Sequence, residues 1–363
     1  MKACLFGGKV DNKNLNHQTN LEKVGLNTGN MLFWYALSQI LDLDVNTLQE
    51  CVWKKVDLSQ YESFITTDLI WIQENATFPV VQKQLELAGN RPLIPISVGL
   101  QSGNMKEDFQ LHEDTVHLLF ELQERCQLGV RGQYTAEILN KYGIKNLKII
   151  GCPSMYLPFD YQFKIRKKDT DLQRASVNMR SMYSPLKREE QKFLVYAANH
   201  KYSFCEQTNH PFSPDICKDP PSYAYLNKWF NTHKAMFFDV EDWRAYMSDM
   251  DFSMGCRFHG NVIALWEQVP ALFITVDSRT TELCKHFSLP TMEMKDFDAD
   301  KSIRYYYDLA NYDEFNKTYP NRLDEFIDFL KKNHLPIKKR MDEYYDRKIC
   351  QLENNVRKLM ERI

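Results

Sequence analysis

Asp251-Phe-Ser-Met-Gly-Cys-Arg-Phe-His-Gly260-Asn-Val-Ile-Ala-Leu-Trp266 joins a short apolar run to an apolar helical run through a turn carrying glycine, arginine and histidine. Phe252 to Met254 reads as a buried strand, Gly255 lets the chain turn, and a helix is expected from about Gly260 to Gln268. A buried strand feeding directly into a helix is the repeating unit of a parallel α/β fold. The open N–H groups and dipole of a helix start favour an anion, and Arg257 and His259 add a guanidinium and a titratable ring. The turn is therefore a candidate phosphate or carboxylate pocket with a proton donor beside it. A structural alternative also fits: an ion-paired arginine and a histidine satisfied by backbone.

Outward from this turn the same rhythm recurs. In the first half, strands are expected at Ala3–Phe6, Leu69–Ile72, Leu93–Val98, Gln127–Val130 and Leu147–Ile150. Helical patterns fall between them near Gly29–Leu41, Pro79–Ala88, Asp114–Gln123 and Tyr134–Lys141. In the second half, strands are expected at Ala175–Met179, Tyr202–Gln207, Ala235–Asp239, Phe252–Met254 and Ala271–Val276, again alternating with helices. The polar stretch Lys164–Gln173 is the natural linker, and amphipathic helices are expected from Asn311 to the end. The expectation is α/β: two Rossmann-like domains, residues 1–165 and 172–300, followed by C-terminal helices over 301–363 that pack across them. Ligands of such domains bind where strands hand over to helices, in the cleft between the two units.

Composition narrows the function classes. The 46 basic and 48 acidic residues give a net charge of −2, which excludes a strongly basic nucleic-acid surface. The nine cysteines are scattered without a C-x-x-C pair, which argues against a disulfide framework or structural zinc, and no metal is expected. The first residues lack a signal-peptide pattern, and the longest apolar-rich stretch, Met31–Leu43, is too short to span a bilayer. A cytoplasmic protein is expected, with room for peripheral contact at a membrane surface.

Four further turns carry candidate chemistry. Gly25-Leu-Asn-Thr-Gly-Asn30 precedes a helix, and Asn27, Thr28 and Asn30 there read equally as helix caps or as a hydroxyl-binding loop. Pro95-Ile-Ser-Val-Gly-Leu-Gln-Ser-Gly103 ends a buried strand with Gln101 available for hydrogen bonds. Glu74, after Trp71-Ile-Gln, is a candidate base or hydroxyl acceptor. Arg131 and Arg180 each directly follow a strand, so with Arg257 three arginines are placed to converge on one polyanion. Asp249 and Asp251 spell D-x-D but stand at the wrong end of their strand, and His112 and His117 lack a metal-ligand spacing on a helix.

Together these turns resemble the polysaccharide pyruvyl transferase family. The resemblance is carried by the Gly25–Asn30 loop, Ile94-Pro-Ile-Ser-Val-Gly, Gly129-Val-Arg-Gly-Gln-Tyr-Thr-Ala-Glu-Ile-Leu, Ile150-Gly-Cys-Pro-Ser and Met254-Gly-Cys-Arg-Phe-His-Gly-Asn, over about residues 1–290. It implies a GT-B-like pairing of the two domains and transfer of pyruvate from phosphoenolpyruvate onto sugar hydroxyls as a ketal. It further implies His259 as acid, Arg257 as its catalytic companion, and Arg131, Arg180, Gly255 and Gly260 on the donor. Asn27, Thr28, Asn30, Glu74 and Gln101 would face a sugar or lipid-linked oligosaccharide acceptor, with no cofactor beyond the donor. The chain departs from the pattern at Gly132, where many members are acidic, at Asn30, where aspartate is frequent, and at Cys152-Pro153, where Asp-Pro is common. A GT-B glycosyltransferase using a nucleotide sugar and a non-catalytic glycan-binding protein are the alternatives.

Overall fold

The computed structural model describes residues 2–10, 13–168, 171–180, 186–209 and 220–338. Twelve strands occur among them: β1 Ala3–Phe6, β2 Leu43–Asn46, β3 Ser63–Thr66, β4 Leu93–Pro95, β5 Leu128–Val130, β6 Leu147–Ile149, β7 Ala175–Asn178, β8 Ser203–Cys205, β9 Lys234–Ala235, β10 Phe252–Gly255, β11 Ala271–Thr275 and β12 Thr291–Glu293. All named pairings are parallel. The central strands are buried on both faces, as β1 and β10 show, because helices cover each side; β1 is apolar throughout, and β10 carries one buried polar residue, Ser253.

The first sheet runs β2-β1-β3-β4. A Val98–Val130 bridge and the Val98 N–H to Gly129 carbonyl bond then connect it to the β5-β6 pair. The second sheet runs β12-β11-β10-β7-β8-β9. Counted from β7, this is the doubly wound order, and its direction reverses between β7 and β10. The crevice outside the carboxyl ends of those two strands is where such a sheet binds ligands. The loops that leave β1, β4, β5 and β6 meet those that leave β8, β10 and β11. The two Rossmann-like domains thus face each other in a GT-B-like arrangement.

The helix Asp313–Lys332 returns to the first domain. Tyr156 stacks on Phe326 with ring centroids 4.3 Å apart, and Asn333 exchanges hydrogen bonds with the backbone of Gln127 at 2.9 and 3.1 Å. The chain then pairs antiparallel at Leu41–Ile337, and the Asp42 N–H donates to the Pro336 carbonyl at 2.7 Å. The last expected helix lies outside the described residues beyond Lys338.

Three expectations are corrected. Leu69–Ile72 is a turn that ends in an isolated parallel bridge from Ile72 to Leu100, and the strand is Ser63–Thr66, which pairs with β1; Leu69 and Ile72 are apolar because they are buried in the core. A helix absent from the expected set, His17–Lys23, precedes the Gly25–Asn30 loop and is capped by the Asn16 side chain. The helix after β10 starts at Phe258, not Gly260, so Arg257 is its N-cap and His259 lies in its first turn.

Candidate active site

The turn after β10 is held by a buried polar clamp. A Cβ on Gly255 would lie 2.0 Å from the Asn178 carbonyl oxygen, so this strand approaches β7 as only glycine permits. Asn178 Oδ1 accepts from the Arg257 N–H at 2.7 Å, and its Nδ2 donates to Asn261 Oδ1 at 2.8 Å. Asn261 donates to the Gly255 carbonyl at 2.9 Å and accepts from Ser253 Oγ at 2.9 Å. Each of these polar side chains is fully buried and partnered, which makes the turn rigid. Helix Phe258–Trp266 carries no side-chain cap, and among the described residues the amides of its first turn have no acceptor. It is an uncapped helix start at the sheet's reversal point, the arrangement that favours an anion.

Three arginines surround this helix start. Arg257 donates through Nε to the Met179 carbonyl at 2.9 Å and through Nη2 to Thr208 Oγ1 at 3.3 Å. Arg131 is 5% exposed, and only its Nε is bonded, to the carbonyl and hydroxyl of Ser97, both at 3.1 Å. Ser97 has φ +67°, and this kink interrupts the strand after Pro95 and turns the two acceptors toward Arg131. The Arg131 guanidinium is thus anchored at one nitrogen, while its terminal amines have no acceptor among the described residues. Arg279, in the first turn of helix Ser278–Phe287, pairs with Asp277 at 2.8 Å. Its charge is felt at both Arg131 and His259.

His259 stands among them, across the domain boundary. Its Nε2 is 3.5 Å from Cys152 Sγ, and its ring lies 5.6 Å from that of Phe33. Its Nδ1 is 3.1 Å from where a Cβ on Gly29 would fall, and Gln207 Oε1 is 2.6 Å from that point. The Thr28 N–H donates to the Gln207 carbonyl at 2.9 Å, which ties the loop to the second domain. Burial, followed by the charges of Arg131, Arg257 and Arg279, pushes the imidazole down to about 3. At neutral pH His259 is an uncharged ring inside a ring of cations. The buried Thr28 Oγ1 and Gln207 Nε2 nearby have no hydrogen-bond partner among the described residues.

Of the residues picked out from sequence, His259, Arg257, Arg131, Gly255, Gly260, Asn27 and Thr28 come together here. Others do not. Arg180 makes a two-pronged ion pair with the buried carboxylate of Glu190, at 2.5 and 2.8 Å, so its charge is committed to holding helix Arg188–Asn199. Asn30 turns back to the Val24 carbonyl at 2.9 Å. Glu74 pairs with Lys106 at 2.7 Å at the surface. The Gln101 backbone joins the turn at Ile72, next to a domain seam in which Ser278 Oγ donates to the Leu100 carbonyl at 2.7 Å.

Sequence reasoning missed Cys152, Arg279, Gln207 and Asn178. Arg279 was open to the same rule that found Arg131, since Val276-Asp-Ser-Arg follows β11 directly.

A cavity of about 500 Å³ lies between the domains along the other face of helix Asn30–Ile40, lined by Gly8, Trp34, Tyr35, Asp44, Phe238 and Glu241 among others. Tyr35 donates to Glu241 across it. Aromatic faces beside carboxylates suit a sugar. Trp229 and Phe230, adjacent in the sequence, are buried against Phe204. A larger groove, about 800 Å³, runs along helix Gln133–Lys141 and touches Glu282 but none of the arginine–histidine cluster. Among the described residues no group of three or more His, Cys, Asp or Glu is placed to hold a metal, and no helix is long and apolar enough to cross a membrane.

The sequence model of the polysaccharide pyruvyl transferase family matches residues 82–278, more than half of the chain, and the protein belongs to that family. No curated protein sequence matches it significantly. Among solved structures it is similar to a UDP-GlcNAc 2-epimerase from Neisseria meningitidis bound to UDP-GlcNAc, at 10% identity over 92% of this chain and 100% of that one, with a TM-score of 0.42. It is also similar to the DNA-modifying enzyme beta-glucosyltransferase, at 12% identity over 92% and 100% of the two chains, with a TM-score of 0.40. A Siraitia grosvenorii ugt transferase in complex with UDP matches at 10% identity over 90% and 95%, with a TM-score of 0.36.

Proposed function

We propose that the protein transfers the pyruvyl group of phosphoenolpyruvate to two hydroxyls of a sugar in a polysaccharide or its precursor, forming a cyclic ketal. The observation that carries this reading is His259 in the first turn of an uncapped helix, with Arg257 at its N-cap and the charges of Arg131 and Arg279 acting on it. The donor offers a carboxylate and a phosphate, which suit guanidinium pairs and helix amides. A bound polyanion reverses the local field that keeps His259 uncharged, so the ring takes up a proton when the donor arrives. His259 then gives that proton to the methylene carbon while the first sugar hydroxyl attacks C2 and releases its own proton. Phosphate leaves with the C2–O bond electrons, and the second hydroxyl closes the ketal. Of the two protons the hydroxyls release, one returns to His259 and the other leaves with phosphate.

The acceptor enters from the aromatic-lined cavity beside helix Asn30–Ile40, reaching His259 past Asn27 and Thr28. As written, the reaction needs no cofactor and runs in the cytoplasm, on a free or lipid-linked sugar presented at a membrane surface. The test is phosphate release from phosphoenolpyruvate in the presence of acceptor glycans, with nucleotide sugars as the comparison. His259→Asn should slow turnover by about 10²–10⁴-fold with unchanged thermal stability. Near-wild-type turnover in that variant, or activity with nucleotide sugars alone, would overturn the assignment.

A further inference from the structure

Cys152 sits in the loop that leaves β6, where Pro153 opens a tight helical turn over Pro153–Tyr156. The Trp266 indole donates to the Ser154 carbonyl at 2.8 Å and fixes that turn against the second domain. The thiol is fully buried, 3.5 Å from His259 Nε2 and 3.1 Å from Ser154 Oγ. An imidazole that moves protons is ordinarily oriented by a carboxylate or carbonyl on its second nitrogen. Among the described residues none occupies that place. The groups facing His259 are Phe33 from helix Asn30–Ile40, the Asn27–Gly29 loop, Gln207 after β8, and the cations Arg131, Arg257 and Arg279. The nearest acids are turned elsewhere: Asp277 to Arg279, and Glu282 to Thr135.

We infer that Cys152 is the positioning residue of His259: its thiol, 3.5 Å from Nε2, holds that nitrogen without supplying the negative charge that would offset the surrounding arginines, so the charge must come from an anion entering among them. Burial pushes the Cys152 thiol up, so its proton stays on sulfur and the pair is thiol and imidazole, not thiolate and imidazolium. Nδ1 is left facing the Gly29–Gln207 side, toward the first domain. The orphaned terminal amines of the buried Arg131 mark where the anion goes. Anion binding should then draw one proton from solvent onto His259, and the proton donor is armed only when the donor substrate is present.

This rests on His259 acting as the proton donor, yet it can be read from the titration of the ring itself. In ligand-free protein with isotope-labelled histidine, His259 should remain neutral from pH 5 to 8 in wild type and in Cys152→Asn. In Cys152→Asp, of equal size but charged, it should titrate near or above neutrality. Calorimetry at pH 8 in buffers of different ionisation enthalpy should show about one proton taken up per phosphoenolpyruvate bound, because a phosphate monoester is already dianionic there. In Cys152→Asp that uptake should be close to zero. Running both proteins in a Glu282→Gln background removes the neighbouring carboxyl that titrates in the same range. A charged His259 in ligand-free wild type, or identical titrations in the Asp and Asn variants, overturns the inference. If Cys152→Asp does not fold, the wild-type protein still decides it: phosphoenolpyruvate bound without proton uptake refutes the role of Cys152. Failure of phosphoenolpyruvate to bind at all refutes the proposed reaction instead.

Discussion

Glu282 makes the domain seam pH-sensitive, and Glu282→Gln isolates the effect. The side chain is 2% exposed and caps helix Gln133–Lys141 from the opposite domain, accepting from the Thr135 N–H at 3.0 Å and from Thr135 Oγ1 at 2.7 Å. Burial outweighs those hydrogen bonds and the charge of Arg131, and raises the carboxyl from 4.5 to about 7. A carboxyl raised on folding binds its proton more tightly in the folded state. Its favourable contribution is therefore complete below pH 4.5 and disappears as pH rises through about 7. The size of the rise corresponds to roughly 3 kcal/mol between the two limits. Glutamine keeps the acceptor for Thr135 and carries no charge, so the variant should be flat where wild type falls. Thermal unfolding of both proteins between pH 5 and pH 8.5 should show wild type losing on the order of 5 °C relative to the variant, nearly all of it between pH 5 and about 7. Parallel melting curves would show that Glu282 is ionised and solvated in the folded protein, and the reasoning from burial would fail.

Two further substitutions probe the cluster. Arg131→Met removes a buried cation whose terminal amines have no acceptor among the described residues; stability should change by no more than about 1–2 kcal/mol, while phosphoenolpyruvate affinity, read by titration calorimetry, drops at least ~10-fold. Gly29→Ala places a methyl group 2.6 Å from Gln207 Oε1 and 3.1 Å from His259 Nδ1, so turnover should fall with little change in melting temperature, as steady-state kinetics beside a thermal-shift measurement would show.

The alternation of apolar strands and amphipathic helices is written directly in the chain. Ala3–Phe6 is a continuous apolar run and Phe252–Gly255 is broken only by Ser253, because parallel strands are covered on both faces, and this pattern survives without knowledge of partners. Leu69–Ile72 shows the limit of that signal. It is as apolar as a strand, yet it is the turn after β3, and Ser63–Thr66 was passed over because Ser and Thr flank its two apolar residues. β2 and β12 were missed for a related reason: both are edge strands of mixed polarity, without the run that marks a central strand.

The site divides along a different line. A residue that directly follows a strand is legible, because the fold itself aims it at the cleft; Arg131 and Arg257 were found that way. Whether such a residue is available to a ligand depends on what stands opposite, which spacing along the chain does not record. Arg180 satisfies the same rule as Arg131, but Glu190, ten positions later, comes round on its helix to take the charge. Cys152 is the converse case. As a lone cysteine it read as a departure from a family pattern. Its meaning arises only when two domains close and bring it within 3.5 Å of a histidine 107 positions away. The electrostatics of His259 are likewise a property of the closed seam: of the three charges that depress it, one comes from the first domain and two from separate turns of the second. A chain can therefore reveal which turns face the cleft before it reveals what those turns do to one another, and the proton chemistry of this site belongs to the second kind of knowledge.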